Sequence, residues 1–199
     1  MNKGILLPVL SLLLAVVVLL GASFGLRDVA AEKAQSEHLR LLRTVLPGSE
    51  NFTLEPYSGE DANIVSVHKG ENGFVVETCT YGYAGNITMY IGVSNDAKVT
   101  GLVVNTMQET YGLGAEALTD HVFLAQFLNK GGSFTVETSG ADAFSGATGD
   151  AAAAEGEEIP VDAITGATVT SKAIARSVSS AVAYVSGADV TSAATSWGG

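Results

Sequence analysis

Residues 165–172, Thr-Gly-Ala-Thr-Val-Thr-Ser-Lys, set four hydroxyls and one cation directly before an apolar-periodic segment. The hydroxyls are Thr165, Thr168, Thr170 and Ser171, and the cation is Lys172. A helix beginning here presents unpaired backbone N–H groups and the positive end of its dipole, which together suit a phosphate. Gly166 and Ala167 add little bulk, so an anionic group could approach the backbone closely. The alternative is a helix start capped by its own Thr and Ser side chains, and the residues alone do not separate the two. A Thr hydroxyl is a poor nucleophile without a base. No His or carboxylate is paired with Thr168 in the sequence, so Thr168 reads as an attachment point and no residue is assigned a catalytic role.

The phrase Asp162-Ala-Ile-Thr-Gly-Ala-Thr168 has a near copy, Asp142-Ala-Phe-Ser-Gly-Ala-Thr148. Context distinguishes them. Thr148 is followed by Gly-Asp-Ala-Ala-Ala-Ala-Glu, and a phosphate there would face Asp142, Asp150, Glu155, Glu157 and Glu158 with no base to offset them. Local charge therefore favours Thr168.

The elements that must position these residues follow from the spacing of apolar side chains. Lys172 to Val185 is amphipathic, with Ile174, Val178, Ala181, Val182 and Val185 on one face and Gly187 as the stop. Upstream the period is two. Ile64, Val65 and Val67 run into the turn Gly70–Gly73, and Phe74, Val75, Val76 and Cys79 follow; Asn72-Gly73 between such runs signals a hairpin. "NITMYIGVS" and "NDAKVTGLVVNTM" form a second strand–turn–strand. About four antiparallel strands are expected, with "SFTVE" as one more strand. A helix is expected from an N-cap at Thr119 to the stop at Gly131-Gly132. Residues 138–160, acidic and without apolar periodicity, are expected to form a loop. The fold class is α+β, an antiparallel sheet flanked by helices.

The N-terminus has a different character. Gly4 to Leu26 holds no charge and, at 23 residues, exceeds the ~20 needed to cross a bilayer as a helix. It is longer than the apolar core of a cleaved signal, and the expectation is an uncleaved single-pass anchor held by membrane lipid. Lys3 on one side and Arg27 on the other give a weak orientation signal; a short leading tail with the bulk of the chain exported is the working choice. The expected organisation is an anchor over 1–27, a juxtamembrane helix over 28–48, one domain over 49–187 with an insertion at 138–160, and a loose tail over 188–199. The 28–48 helix either continues the anchor or packs in the domain.

Composition narrows the function. The 199 residues carry a formal net charge of −11, which argues against nucleic acid as a partner. Glu137 to Asp162 holds seven acids and no Lys or Arg, the pattern of a solvated loop. The single Cys79 excludes an internal disulfide, and His38, His68 and His121 are scattered, so no metal site is expected. Cys79, in an alternating run, is expected to be a half-buried strand residue.

Asp-x-x-[Ser/Thr]-Gly-Ala-Thr before a Ser/Thr-containing helix start resembles the flavinylation motif of the FMN-binding domain family. That family includes the G subunit of the Rnf electron-transport complex and the C subunit of the sodium-translocating NADH:quinone reductase. Two further stretches are similar to the family: Gly82-Tyr83-Ala84-Gly85-Asn86-Ile87 and Glu109-Thr110-Tyr111-Gly112-Leu113-Gly114. The resemblance implies covalent FMN, joined through a phosphoester to Thr168 by a separate flavin transferase. It implies flavin contacts from Glu109, Thr110, Gly112, Leu113 and Gly114, with Asp162, Thr165, Gly166, Ala167, Thr170, Ser171 and Lys172 around the attachment point. It also implies electron relay beside other subunits of a membrane redox complex that couples ferredoxin and NAD to Na⁺ or H⁺ movement. Tyr111 departs from the family's Pro and removes one fixed φ. A stand-alone anchored electron carrier and a non-redox anchored scaffold are the competing readings.

Overall fold

The computed structural model describes residues 3–109, 114–117, 119–138 and 158–187. The chain divides into two units, Met1–Arg40 and Leu41–Gly199. Helix α1, Lys3–Val45, supplies the first unit and contributes its last turn to the second. In the first unit Lys33 and Glu37 face each other across one turn at 4.0 Å, both exposed. Most side chains of Gly4–Leu26 lie outside the described residues. Among the described residues no helix is long and apolar enough to cross a membrane.

The second unit is built on five antiparallel strands in sequential order: β1 Thr53–Glu55, β2 Ile64–Lys69, β3 Gly73–Tyr81, β4 Asn86–Ser94 and β5 Val99–Met107. The expected hairpins form. Gly70 N donates to Gly73 O over 2.8 Å, closing the β2–β3 turn, and Val76 pairs with Ile91 across β3 and β4. The sequence reading falls one strand short because β1 has only three residues and no apolar period; its pairing with β2 through Leu54 and His68 makes it a strand.

Alternation along the strands divides the sheet into two faces. Val76, Thr78 and Thr80 on β3 and Ile87, Met89, Ile91 and Val93 on β4 point to one face and are buried. Helix α4, Thr168–Ser186, covers that face with Ile174, Val178, Ala181 and Val182. The opposite face meets the end of α1, where Leu42, Val45 and Leu46 are buried. Gly92 is required there, because a Cβ would collide with the Val45 carbonyl, and that carbonyl accepts a hydrogen bond from Thr100 Oγ1 at 2.6 Å. Cys79 points to this second face and is half-buried, as expected.

Two short helices follow β5: α2, Gly114–Ala117, and α3, His121–Ala125. Asp120, not Thr119, caps α3: its Oδ1 accepts from Val122 N at 2.8 Å and Phe123 N at 3.2 Å, while the Thr119 hydroxyl donates to Ala115 O. A carboxylate outcompetes a hydroxyl at this position because it also opposes the helix dipole. The helix is shorter than expected, giving way to turns before Asn129 at φ 61°. Phe123, Phe127 and Phe134 stack edge to face at 5.4 and 5.1 Å within the same apolar core as the sheet and α4.

Strands β6, Ser133–Glu137, and β7, Glu158–Asp162, pair in parallel. The loop expected over 138–160 therefore ends sooner, since Glu158–Pro160 belong to β7. Charge conceals this strand in the sequence. Only Val161 of β7 is fully buried, and the register with β6 comes from a distant partner. Residues 139–157, with Asp142, Thr148 and most of the acidic insertion, and the tail 188–199 lie outside the described residues.

Candidate functional site

The turn between β7 and α4 determines where Thr168 sits. Ala167 N donates to Ile164 O over 2.9 Å, closing a four-residue turn in which Gly166 is third, at φ 78°. A positive φ at that position is the type II requirement, and Gly meets it without steric cost. The chain then enters α4 at Thr168, four residues before the apolar pattern begins. Ser171, fully buried, holds this entry from inside: its Oγ accepts from Ile164 N at 3.3 Å, and its own N–H donates to Ala167 O at 2.8 Å.

Asp162 ends β7 with an exposed side chain. Its backbone is braced on both sides by Gln126, which accepts from Asp162 N at 2.8 Å and donates to Asp162 O at 3.3 Å. Gln126 was not among the residues singled out from the sequence. A lone amide within the apolar run "FLAQFL" is the signal that could have found it.

Thr165 and Gly166 are exposed, Ala167 is buried and Thr168 is half-buried. Ala167, at the N-cap, has no polar side-chain atom and makes no capping bond. Lys172 is exposed one turn beyond Thr168, on the same side of the helix by its four-residue spacing. This arrangement fits a phosphate: glycine at the approach, helix dipole behind and a cation beside.

A second group of expected residues joins the same place. Glu109 follows β5 and is half-buried. Its Oε2 accepts from Thr170 Oγ1 at 3.0 Å, and its Oε1 accepts from Ala84 N at 3.3 Å. Thr170 is only 1% exposed. Gly114, the first residue of α2, lies against both: a Cβ there would fall 2.6 Å from Thr170 Oγ1 and closer still to Glu109 Oε2. Glu109, Gly114 and Thr170, separated in sequence, are therefore brought together. Thr110, Tyr111, Gly112 and Leu113 lie outside the described residues. Among the described residues no group of His, Cys, Asp and Glu could hold a metal ion.

The sequence pattern of the FMN-binding domain matches residues 82–183, which contain every described residue of this site. The chain belongs to the FMN-binding domain family. It is similar to the G subunit of the ion-translocating oxidoreductase complex of Methanosarcina acetivorans, at 32% identity over 157 residues and 73% of each chain. The counterpart G subunit of Aliivibrio fischeri is 28% identical over 172 residues, covering 78% of this chain and 76% of that one. The G subunit of the Na(+)-translocating ferredoxin:NAD(+) oxidoreductase complex of Acetobacterium woodii is 34% identical over 111 residues, covering 55% of this chain and 47% of that protein. Membership fits the geometry, because the family's ligand carries the phosphate that the start of α4 suits.

Proposed function

We propose that the chain carries FMN covalently on Thr168 and relays electrons within an ion-translocating ferredoxin:NAD oxidoreductase complex. The observation that carries this reading is the place of Thr168, half-buried at the first position of a 19-residue helix behind a Gly-Ala turn with no side-chain cap. The similarity to the G subunits of such complexes supports the partner assignment.

When bound, FMN supplies one- and two-electron chemistry, and the protein supplies placement and electrostatics. Gly166 leaves the approach open. The first turn of α4 and Lys172 offer positive potential. Thr168 Oγ would hold the FMN phosphate as a phosphoester, its proton passing to a flavin transferase and the rest of an activated flavin nucleotide leaving as the phosphoanhydride breaks. By the family resemblance, Glu109, Thr110, Gly112, Leu113 and Gly114 would contact the flavin. Gly4–Leu26 anchors the chain in the cell membrane with the domain on the extracytoplasmic side, where a covalent bond prevents loss of the cofactor by dilution.

The test is co-expression of the full chain with a flavin transferase, followed by a denaturing gel viewed under ultraviolet light. The wild type fluoresces, Thr148→Ala fluoresces, and Thr168→Val, which keeps the branched shape without the hydroxyl, is dark. A dark wild-type band beside a working transferase, or a band that survives Thr168→Val, overturns the assignment.

A further inference from the structure

Among the described residues Glu109 accepts from two partners, and they lie on two different elements. Ala84 belongs to the turn between β3 and β4, where Gly82 N donates to Gly85 O over 2.8 Å. Thr170 belongs to the first turn of α4, two residues after Thr168. One carboxylate therefore bridges the β3–β4 turn and the helix start, 3.3 Å from the first and 3.0 Å from the second. A half-buried carboxylate without such donors would be costly to keep in place, so the bridge and the burial support each other.

The glycines around it fit the same arrangement. A Cβ on Gly82 would collide with Glu109 Oε1 and lie 2.7 Å from Ile87 Cδ1, and a Cβ on Gly114 would meet Glu109 Oε2 and Thr170 Oγ1. Neither glycine adopts a positive φ. Their smallness thus serves the carboxylate's space and not the backbone's freedom. Residues distant in sequence, Gly82 and Ala84 of the β3–β4 turn, Gly114, and Thr170 of the helix start, thus lie around a single side chain.

We propose that Glu109 is a positioning residue, whose carboxylate clasps the β3–β4 turn to the first turn of α4 and so fixes how Thr168 is presented for flavin attachment. This rests on the reading of Thr168 as the attachment site. Group transfer is sensitive to small displacements of the accepting atom, so a tie two residues from Thr168 bears on how its hydroxyl is presented.

The experiment has two arms on the full chain. The first needs no flavin. Hydrogen exchange of the unloaded protein should show faster exchange in both 82–86 and 168–172 in Glu109→Ala, with the second half of α4 unchanged. The second arm measures the initial rate of covalent loading by a flavin transferase. Glu109→Ala should slow loading by roughly ten- to a hundredfold. Glu109→Gln, which keeps an acceptor for the Thr170 hydroxyl, should recover part of that rate. Gly82→Ala should also be slow, and Gly82→Ala combined with Glu109→Ala should load no more slowly than Gly82→Ala alone, since the collision with the carboxylate is gone and only the flexible end of Ile87 must give. Asn63→Ala, which removes the 3.2 Å bond from Asn63 Nδ2 to Ser180 Oγ in the second half of α4, serves as the control for lost stability and should load near the wild-type rate. Unchanged exchange in either segment, wild-type loading of Glu109→Ala, or Glu109→Gln no faster than Glu109→Ala overturns the clasp. A wild type that never loads overturns the attachment reading instead, and the exchange arm still decides whether the clasp exists.

Discussion

The Thr80 hydroxyl on β3 and the Ser177 hydroxyl on α4 lie 2.8 Å apart, both buried, 97 positions from each other in the chain. Thr80 Oγ1 also lies 3.2 Å from Ala173 O, to which it donates. With the Thr80 hydrogen committed to that carbonyl, Ser177 is the donor within the pair. This small polar seam lies in the contact between the sheet and the helix that presents Thr168.

The seam predicts unequal costs. Thr80→Val removes Ser177's acceptor but also frees Ala173 O, one helical turn back, to which the serine can turn. The expected loss is about 1–2 kcal/mol. Ser177→Ala leaves Thr80 bonded to Ala173 O and should cost less, under about 1 kcal/mol. The double variant should fall short of the sum, because the two side chains share one interaction. Denaturant unfolding of the full chain measures all three. A larger loss for Ser177→Ala than for Thr80→Val would reverse the donor assignment.

Alkaline pH should weaken the fold through Tyr90. Its hydroxyl is pushed up to about 12, first by burial, then by the charge of Glu77 and by the hydrogen bond to it. Glu77 stands opposite Tyr90 in the β3–β4 register and is held by Ser66 Oγ at 2.6 Å. In the unfolded chain the phenol ionises near pH 10, whereas in the folded chain it stays protonated up to about 12. The stability that depends on its neutral form is complete below pH 10 and is lost as pH rises from 10 to about 12. Tyr184 is raised for the same leading reason, burial, with Glu55 adding to it, and contributes with the same sign. Tyr90→Phe should flatten the alkaline fall in stability measured by denaturant midpoints between pH 9 and 12. An unchanged slope would show that other groups carry it.

What the sequence reveals about this molecule depends on how local the cause is. The β2–β3 hairpin is legible because Asn72-Gly73 and the flanking alternation lie within a few residues of each other. The body of α4 is legible because Ile174 to Val185 repeat at helical spacing. Its first turn is not, since Thr168 to Ser171 carry no apolar period and the start is fixed by the glycine turn at Gly166. β7 escapes notice because its pairing with β6 bridges the long acidic segment. At the site, Thr168 and Lys172 can be placed from their own neighbourhood, whereas Glu109 meets Thr170 across 61 positions. Spacing alone gives no measure of that distance, and the contact needs the sheet and α4 to be packed first.

Lys172 offers the last prediction, because α4 contains no acid and only two cations, Lys172 and Arg176. Both are exposed, and they follow Thr168 at intervals of four, so the three share one line along the helix. In a chain of net charge −11 this line is a local exception. An incoming flavin phosphate would be attracted most by the nearer charge. Lys172→Ala should slow covalent loading roughly two- to fivefold at low salt, the range of an exposed charge contact. Arg176→Ala, about 6 Å further along the axis, should slow it less. Raising the ionic strength should bring both variants towards the wild type, since exposed charges are screened within roughly 10 Å at 0.1 M salt. Unfolding should change by no more than about 0.5 kcal/mol, because neither side chain contributes to the core. A Lys172→Ala chain that loads at the wild-type rate in low salt would remove the cation from the site and leave the helix dipole as its source of positive potential.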